Sequence, residues 1–188
     1  LTAIQLVGRD PAARAEGARM AEKAGADIVD LNFGCPAKEV TGVAAGSALM
    51  RTPDLACRIM VAAVQATSRP VTVKMRLGWD RQSITAPALA REFEQLGVAG
   101  ITIHGRTRQQ GFQGCVDLDG IAQVVSAVES IPIVGNGDVR TPDDARHTHN
   151  RVIDYPASGA DPVYGRWTGG RLTVSSSAGD STPVPHVP

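Results

Sequence analysis

Short apolar runs rich in β-branched residues recur along the chain at 2–7, 27–32, 70–76, 100–104 and 131–135. Runs of this length, bounded by Gly and Pro, read as buried strands. The segments between them carry helix punctuation. Asp10-Pro11 and Thr52-Pro53 each put a capping residue before a proline at the first helical position, and Thr141-Pro142-Asp143-Asp144 opens a further helix in the same way. Gly25 and Gly97 stand where C-terminal caps belong. Five alternations of strand and helix predict parallel βα units.

The polar residues that interrupt this pattern fall toward the C-terminal side of the runs. Gln5 lies within the first; Asn32 and Cys35 follow the second; Lys74 and Arg76 end the third; His104 and Arg106 end the fourth; Asn136 and Asp138 end the fifth. In a parallel (β/α) barrel that end carries the active site, so the coincidence over five runs favours a catalytic barrel over a doubly wound sheet. The expected fold class is α/β, a partial (β/α)8 barrel of about five βα units.

Periodicity fails near Arg146. From 148 to 188 there is no Lys or Glu and one Leu, while Gly, Pro and Ser abound. Such a segment has too little apolar surface to offset the entropy of ordering it. The expected organisation is a partial barrel over 1–147 and a low-order tail over 148–188, of the kind a reading-frame change would leave.

Charge and cysteines narrow the classes. The 19 basic and 19 acidic residues cancel, so no global field draws the chain to nucleic acid or anionic lipid, and any such contact must be local. Cys35, Cys57 and Cys115 form no C-x-x-C pair and have no zinc-completing histidine nearby, so neither a disulfide framework nor a metal site is expected. Cys57 and Cys115 read as small buried hydrophobes. No apolar run approaches the roughly 20 residues of a membrane span, and no signal-peptide pattern opens the chain; a cytoplasmic location is expected.

The candidate residues each admit two readings. Lys74 sits in a core-like run, where a lysine needs a partner such as a flavin ring or a phosphate; the alternative is a side chain that snorkels to water. Gly135-Asn136-Gly137-Asp138 can turn backbone N–H groups toward an anion, or be a plain tight turn. His104 suits a hydrogen bond to flavin or substrate, and equally a structural role. Between Gly34 and Pro36 the Cys35 thiol is held on a stiff loop, unless it is a small core residue.

Taken together, Asn32-Phe-Gly-Cys-Pro-Ala-Lys38, Gly46-Ser-Ala-Leu49, Val73-Lys-Met-Arg-Leu-Gly-Trp79, Ile103-His-Gly-Arg-Thr-Arg108 and Gly135-Asn-Gly-Asp138 resemble, in order and spacing, the motifs of the tRNA-dihydrouridine synthases, nearest the bacterial B-type branch. The resemblance covers 1 to about 146. It implies a flavin mononucleotide (FMN) enzyme that uses NADPH to reduce uridines of tRNA to 5,6-dihydrouridine and works as a monomer when complete. It further implies Cys35 as proton donor, with Gln5, Lys74 and His104 at the flavin and Asn136, Gly137 and Asp138 at its phosphate end. Asn32, Arg76, Arg106 and Arg108 are implied on the substrate side. Against the family pattern, the chain opens at the third strand, and the late phosphate loop and helical tRNA-binding domain are not recognisable, so activity of this chain by itself does not follow. A related flavin barrel acting on free pyrimidines and a non-catalytic remnant are the competing readings.

Overall fold

The computed structural model describes residues 1–152 and two strands, 163–168 and 171–176, with side chains through Arg146 and at Thr148. Strand and helix alternate as the punctuation demands. Strand β1 (Ala3–Leu6) leads to helix α1 (Pro11–Lys23), β2 (Ile28–Phe33) to a one-turn helix α2 (Lys38–Thr41), a 3-10 segment (Gly46–Arg51) and α3 (Pro53–Ala66). Then come β3 (Val71–Arg76), α4 (Ala86–Gln95), β4 (Gly100–His104), α5 (Leu118–Val125), β5 (Ile133–Asn136) and α6 (Pro142–Val152). Asp10 caps as expected, accepting from the Ala13 amide at 2.7 Å, and Thr141 Oγ1 accepts from the Asp144 amide at 3.1 Å. Thr52 does not cap, its hydroxyl donating back to the Leu49 carbonyl, although α1, α3 and α4 all have proline in the first turn.

All five strands are parallel and lie in sequence order β1-β2-β3-β4-β5. Without a reversal of order there is no switch point of the doubly wound kind, and this is the strand order of a (β/α) barrel. The sheet is not apolar on both faces. Burial alternates strictly along β2 and over most of β3: Val29, Leu31, Phe33, Val71, Val73, Met75, Ile101 and Ile103 form one core with Ile59, Met60, Leu89 and Phe93 of the helices. Phe33 and Phe93 meet edge to face at 5.7 Å, and burying each large side chain contributes roughly 1.5–3 kcal/mol. The intervening positions, Gln5, Asp30, Asn32, Thr72, Lys74 and Thr102, share the opposite face, since alternate residues of a strand point to opposite sides.

Helix α6 continues past residue 147 to Val152. Beyond it lies a separate unit, 155–188, in which β6 (Val163–Thr168) pairs antiparallel with β7 (Arg171–Ser176) and neither strand joins the five-stranded sheet. The low-order expectation for the tail otherwise falls on 153–162, 169–170 and 177–188, outside the described residues. Cys115 departs from expectation: it is exposed rather than buried, because it lies in the loop that precedes α5.

Candidate active site

The polar face of the sheet is a connected hydrogen-bond network. Its hub is Asp30, whose two carboxylate oxygens accept from Gln5 Nε2 at 2.6 Å and Thr72 Oγ1 at 2.7 Å. Asn32 Nδ2 donates to Gln5 Oε1 at 2.9 Å. One step toward the C-terminal ends, Lys74 is in register with Asn32, and its Nζ donates to Asn136 Oδ1 at 3.0 Å. Burial lowers the proton affinity of Lys74, Arg76 adds to this, and Asp30 opposes it. Lys74 therefore does not snorkel; it is bound across the sheet to β5.

Cys35 is fixed from both sides. Asn32 Oδ1 accepts from the amides of Gly34 at 3.2 Å and Cys35 at 2.9 Å. The Cys35 carbonyl accepts from the Ser47 amide at 3.0 Å and Ser47 Oγ at 2.9 Å, and Ser47 is fully buried. This close approach requires glycine at 46, where φ is +58° and a Cβ would stand 2.8 Å from the Cys35 carbonyl oxygen. The thiol itself is half-buried.

Arg76 and Arg106 are both buried, at 3% and 4% exposure, and support the loop between β4 and α5. Arg76 Nε donates to the Gly34 carbonyl at 3.0 Å, and its Nη1 donates to the carbonyls of Thr107 at 3.0 Å and Gly111 at 2.7 Å. Arg106 Nε donates to the Gln113 carbonyl at 3.1 Å; its Nη2 reaches the Gly114 carbonyl and Asp138 Oδ2, each at 2.6 Å. Asp138, in the left-handed region at φ +56°, also accepts from the Val116 amide at 3.1 Å. The Arg106 hydrogen bond holds its carboxyl below the usual carboxylate range. One arginine thus ties the Cys35 loop to the β4–α5 loop, and the other ties that loop to the turn after β5.

His104 lies at the centre of these cations. Burial, then Arg76, Lys74 and Arg106, push its pKa down to about 4, against Asp138, so the imidazole is neutral at pH 7. Its Nδ1 is buried without a hydrogen-bond partner, and the backbone of Gly137, at φ +118°, passes so near the ring that a Cβ there would lie 3.2 Å from it. Phe112 stands edge-on to His104 at 6.4 Å and beneath the Arg76 guanidinium at 5.4 Å, yet is 77% exposed. Arg108 is half-buried, stacked on Trp79.

A stability prediction follows from His104. Its folded-state pKa lies below the ordinary 6.5, so between pH 6.5 and 4 the unfolded chain binds the proton first and stability falls as pH falls through that window. The loss is bounded at about 3 kcal/mol. Urea unfolding should show a shallower acid loss in His104→Gln than in the parent over that window; parallel pH profiles would contradict the assignment. Losses from Asp138 and other carboxylates occur in both proteins, so the difference between profiles is the readout.

The structure brings Gln5, Asn32, Cys35, Lys74, His104, Asn136, Gly137 and Asp138 to one end of one sheet face. It commits Arg76 and Arg106 to backbone carbonyls and leaves Arg108 on the rim. The sequence reading passed over Asp30 and Phe112, and quoted Ser47 within a motif without giving it a role. Asp30 is an acid inside an apolar run, which was a usable signal; a phenylalanine in a loop gave none. Among the described residues no group of three or more potential metal ligands is found, and no helix is long and apolar enough to cross a membrane. The orphaned imidazole nitrogen beside Lys74 and the cation-rich turn suits a planar, anionic, hydrogen-bonding ligand, since buried polar atoms in native proteins find partners.

Comparison with known proteins gives the family and the fold. Residues 1–155 match the family model described as dihydrouridine synthase (Dus). The chain is 50% identical over 169 residues, 89% of its own length and 51% of the relative's, to a protein of Rhizobium leguminosarum bv. phaseoli named "Probable tRNA-dihydrouridine synthase". To the protein of the same name from Rickettsia prowazekii it is 44% identical, covering 98% of this chain and 56% of the relative. It is 39% identical to tRNA-dihydrouridine synthase B of Xanthomonas axonopodis pv. citri, over 98% of this chain and 55% of that one. The chain thus spans about half the length of these relatives. Among solved structures, phosphonopyruvate hydrolase superposes with a TM-score of 0.57 at 16% identity, covering 81% of this chain and 54% of that one. A 2,3-dimethylmalate lyase does so at 0.55 and 18%, covering 81% and 52%. These two share the fold. With its motifs placed together on the C-terminal ends of five parallel strands, the chain belongs to the dihydrouridine synthase family.

Proposed function

We propose that the protein reduces uridine in tRNA to 5,6-dihydrouridine, with FMN as cofactor and NADPH as electron donor. The observation that carries this reading is Cys35, held on its turn by Asn32 and Ser47 beside a polar row that contains Lys74 and a neutral His104 whose Nδ1 has no hydrogen-bond partner. When bound, FMN supplies the hydride. Gln5, Lys74 and His104 hold the flavin, and Asn136 keeps Lys74 aimed. The carboxylate of Asp138 is occupied by Arg106 and the Val116 amide, so a phosphate at this turn meets backbone N–H groups and nearby cations rather than the carboxylate. Cys35 supplies the proton to C5 of the uracil. Asn32 orients the Cys35 loop through two backbone amides, and Arg76 and Arg106 set the height of the β4–α5 loop over the substrate.

Flavin fluorescence titration of the purified protein tests the cofactor half of this reading. Lys74→Met should raise the Kd for FMN roughly tenfold, about 1.4 kcal/mol, while the fold, read by circular dichroism, is kept. An unchanged Kd would remove Lys74 from the flavin site. A parent protein with no affinity for FMN would contradict the flavin reading altogether.

A further inference from the structure

We propose that Arg51 and Arg108, both stacked on Trp79, form a clamp for a phosphodiester of the RNA backbone. This deepens the tRNA reading above and rests on it. The guanidinium carbon of Arg51 stands 4.7 Å, and that of Arg108 4.8 Å, from the centroid of the Trp79 ring. The two charges therefore lie within about one Debye length of each other, roughly 10 Å at 0.1 M salt. Among the described residues, neither arginine forms an ion pair, although Asp54 lines the same shallow cleft as Arg51 and Arg58. Two like charges held on one indole repel, and cation–π attraction of about 0.5–1 kcal/mol each at exposed sites compensates only in part. A bridging anion relieves that repulsion.

The clamp is stiff and well placed. Arg51 ends the 3-10 segment before α3, Trp79 follows β3 and Arg108 follows β4, so all three lie at the C-terminal ends of the strands, as Cys35 does. The Trp79 amide donates to the Ser83 carbonyl at 3.2 Å, the Trp79 carbonyl accepts from the Gln109 amide at 2.9 Å, and the Gly78 carbonyl accepts from the Arg108 amide at 2.9 Å. Arg108 Nη2 reaches Thr41 Oγ1 at 3.3 Å, which steadies its side chain against the end of helix α2. Arg51 is exposed and makes no hydrogen bond of its own among the described residues, so its donors face solvent. Planar guanidinium forks suit phosphate oxygens, and fixing them in advance reduces the ordering cost of binding. The turn at Gly137 and Asp138 follows β5 and is tied to Arg106 and the Val116 amide, whereas the clamp is tied to Thr41 and to the backbone of Gly78 and Trp79, so the two rest on different contacts.

The test is equilibrium binding of an unmodified tRNA transcript to the purified protein over a series of NaCl concentrations. Arg51→Gln and Arg108→Gln should each weaken binding roughly three- to tenfold at low salt and reduce the slope of log K against log salt by about 0.7–0.9. Arg51→Lys should restore the slope but not the full affinity, because an ammonium keeps the charge and loses the planar stack. Arg19→Gln, at a residue paired with Glu16 on α1, should change neither. Unchanged affinity and slope in both Gln variants, with the parent binding tRNA, would overturn the clamp and leave the proposed function standing. A parent without affinity for tRNA would overturn both. A raised KM for NADPH in the two variants with tRNA binding intact would assign the cations to the dinucleotide and overturn the RNA proposal.

Discussion

Cys35→Ala should leave the affinity for FMN and the NADPH-dependent half-reaction within about twofold of the parent, and slow the tRNA-dependent half-reaction by roughly 10²-fold or more, the usual range for loss of a general acid. Saturating the uracil 5,6 double bond needs a hydride at C6 and a proton at C5, from two different donors. In the proposed function Cys35 is the second. His104 is neutral at pH 7, because burial and three nearby cations push its pKa to about 4, so it is not available as an imidazolium acid. Lys74 donates to Asn136 across the sheet. Cys35 is half-buried on a turn held by Asn32 and Ser47. Cys115→Ala is the matched control, since that thiol is exposed on the β4–α5 loop. Single-turnover stopped-flow at fixed pH reads both half-reactions. A tRNA-dependent rate unchanged in Cys35→Ala, or the defect appearing in Cys115→Ala, would contradict the assignment.

The second large effect concerns Arg76. Replacing it with Met keeps much of the length but strands the carbonyls of Gly34, Thr107 and Gly111, three acceptors of charge-assisted hydrogen bonds in a nearly sealed position. Hydrogen bonds to a charged group contribute about 1.5–3 kcal/mol each, and a buried acceptor left unpaired costs a further 1–3 kcal/mol. Water entering the gap and removal of a buried charge offset part of this, so a net loss of about 3 kcal/mol is expected. The loss should be local as well as global. Amide hydrogen exchange should accelerate over 107–116 more than in the helices, because Arg76 is the prop under that loop and also the cation over Phe112. A loss below about 1 kcal/mol with exchange in the loop unchanged would show that the loop is held by Arg106 and Asp138 alone.

Much of this was legible in the residues, and the reason is periodicity. Strand β4 is found at 100–104 as read, and β3 differs by one residue, because a β-branched run between a Gly or Pro and a helix cap has few other ways to bury itself. The polar residues at strand ends pointed to the face that carries the connected hydrogen-bond network before any contact was known. What the pattern could not convey is what each side chain does once there. Arg76 and Arg106 were read as substrate-side residues, and their hydrogen bonds go to the carbonyls of a loop whose path depends on contacts far apart in sequence. Strand β2 was read as continuously apolar, and Asp30 disappeared into that reading; in the fold it is the hub that joins Gln5 to Thr72. Trp79 was visible inside its motif, but its pairing with Arg51 and Arg108 joins turns after two different strands and the segment before α3. The change in composition near 146 did not coincide with the end of helix α6, which runs on to Val152, since helix propagation tolerates several polar residues in its last turns.

The proposed function is the reduction of uridine within tRNA. Mass spectrometry of nucleosides tests it most directly. An unmodified tRNA transcript is incubated with the purified protein, FMN and NADPH, digested, and scored for dihydrouridine, with free uridine and uridine monophosphate as competing substrates in a parallel reaction. The account predicts dihydrouridine in the tRNA, dependent on NADPH, abolished or nearly so in Cys35→Ala, and none from the free pyrimidines. Reduction of the free pyrimidines with the tRNA left unmodified would contradict it, as would an undiminished yield from Cys35→Ala.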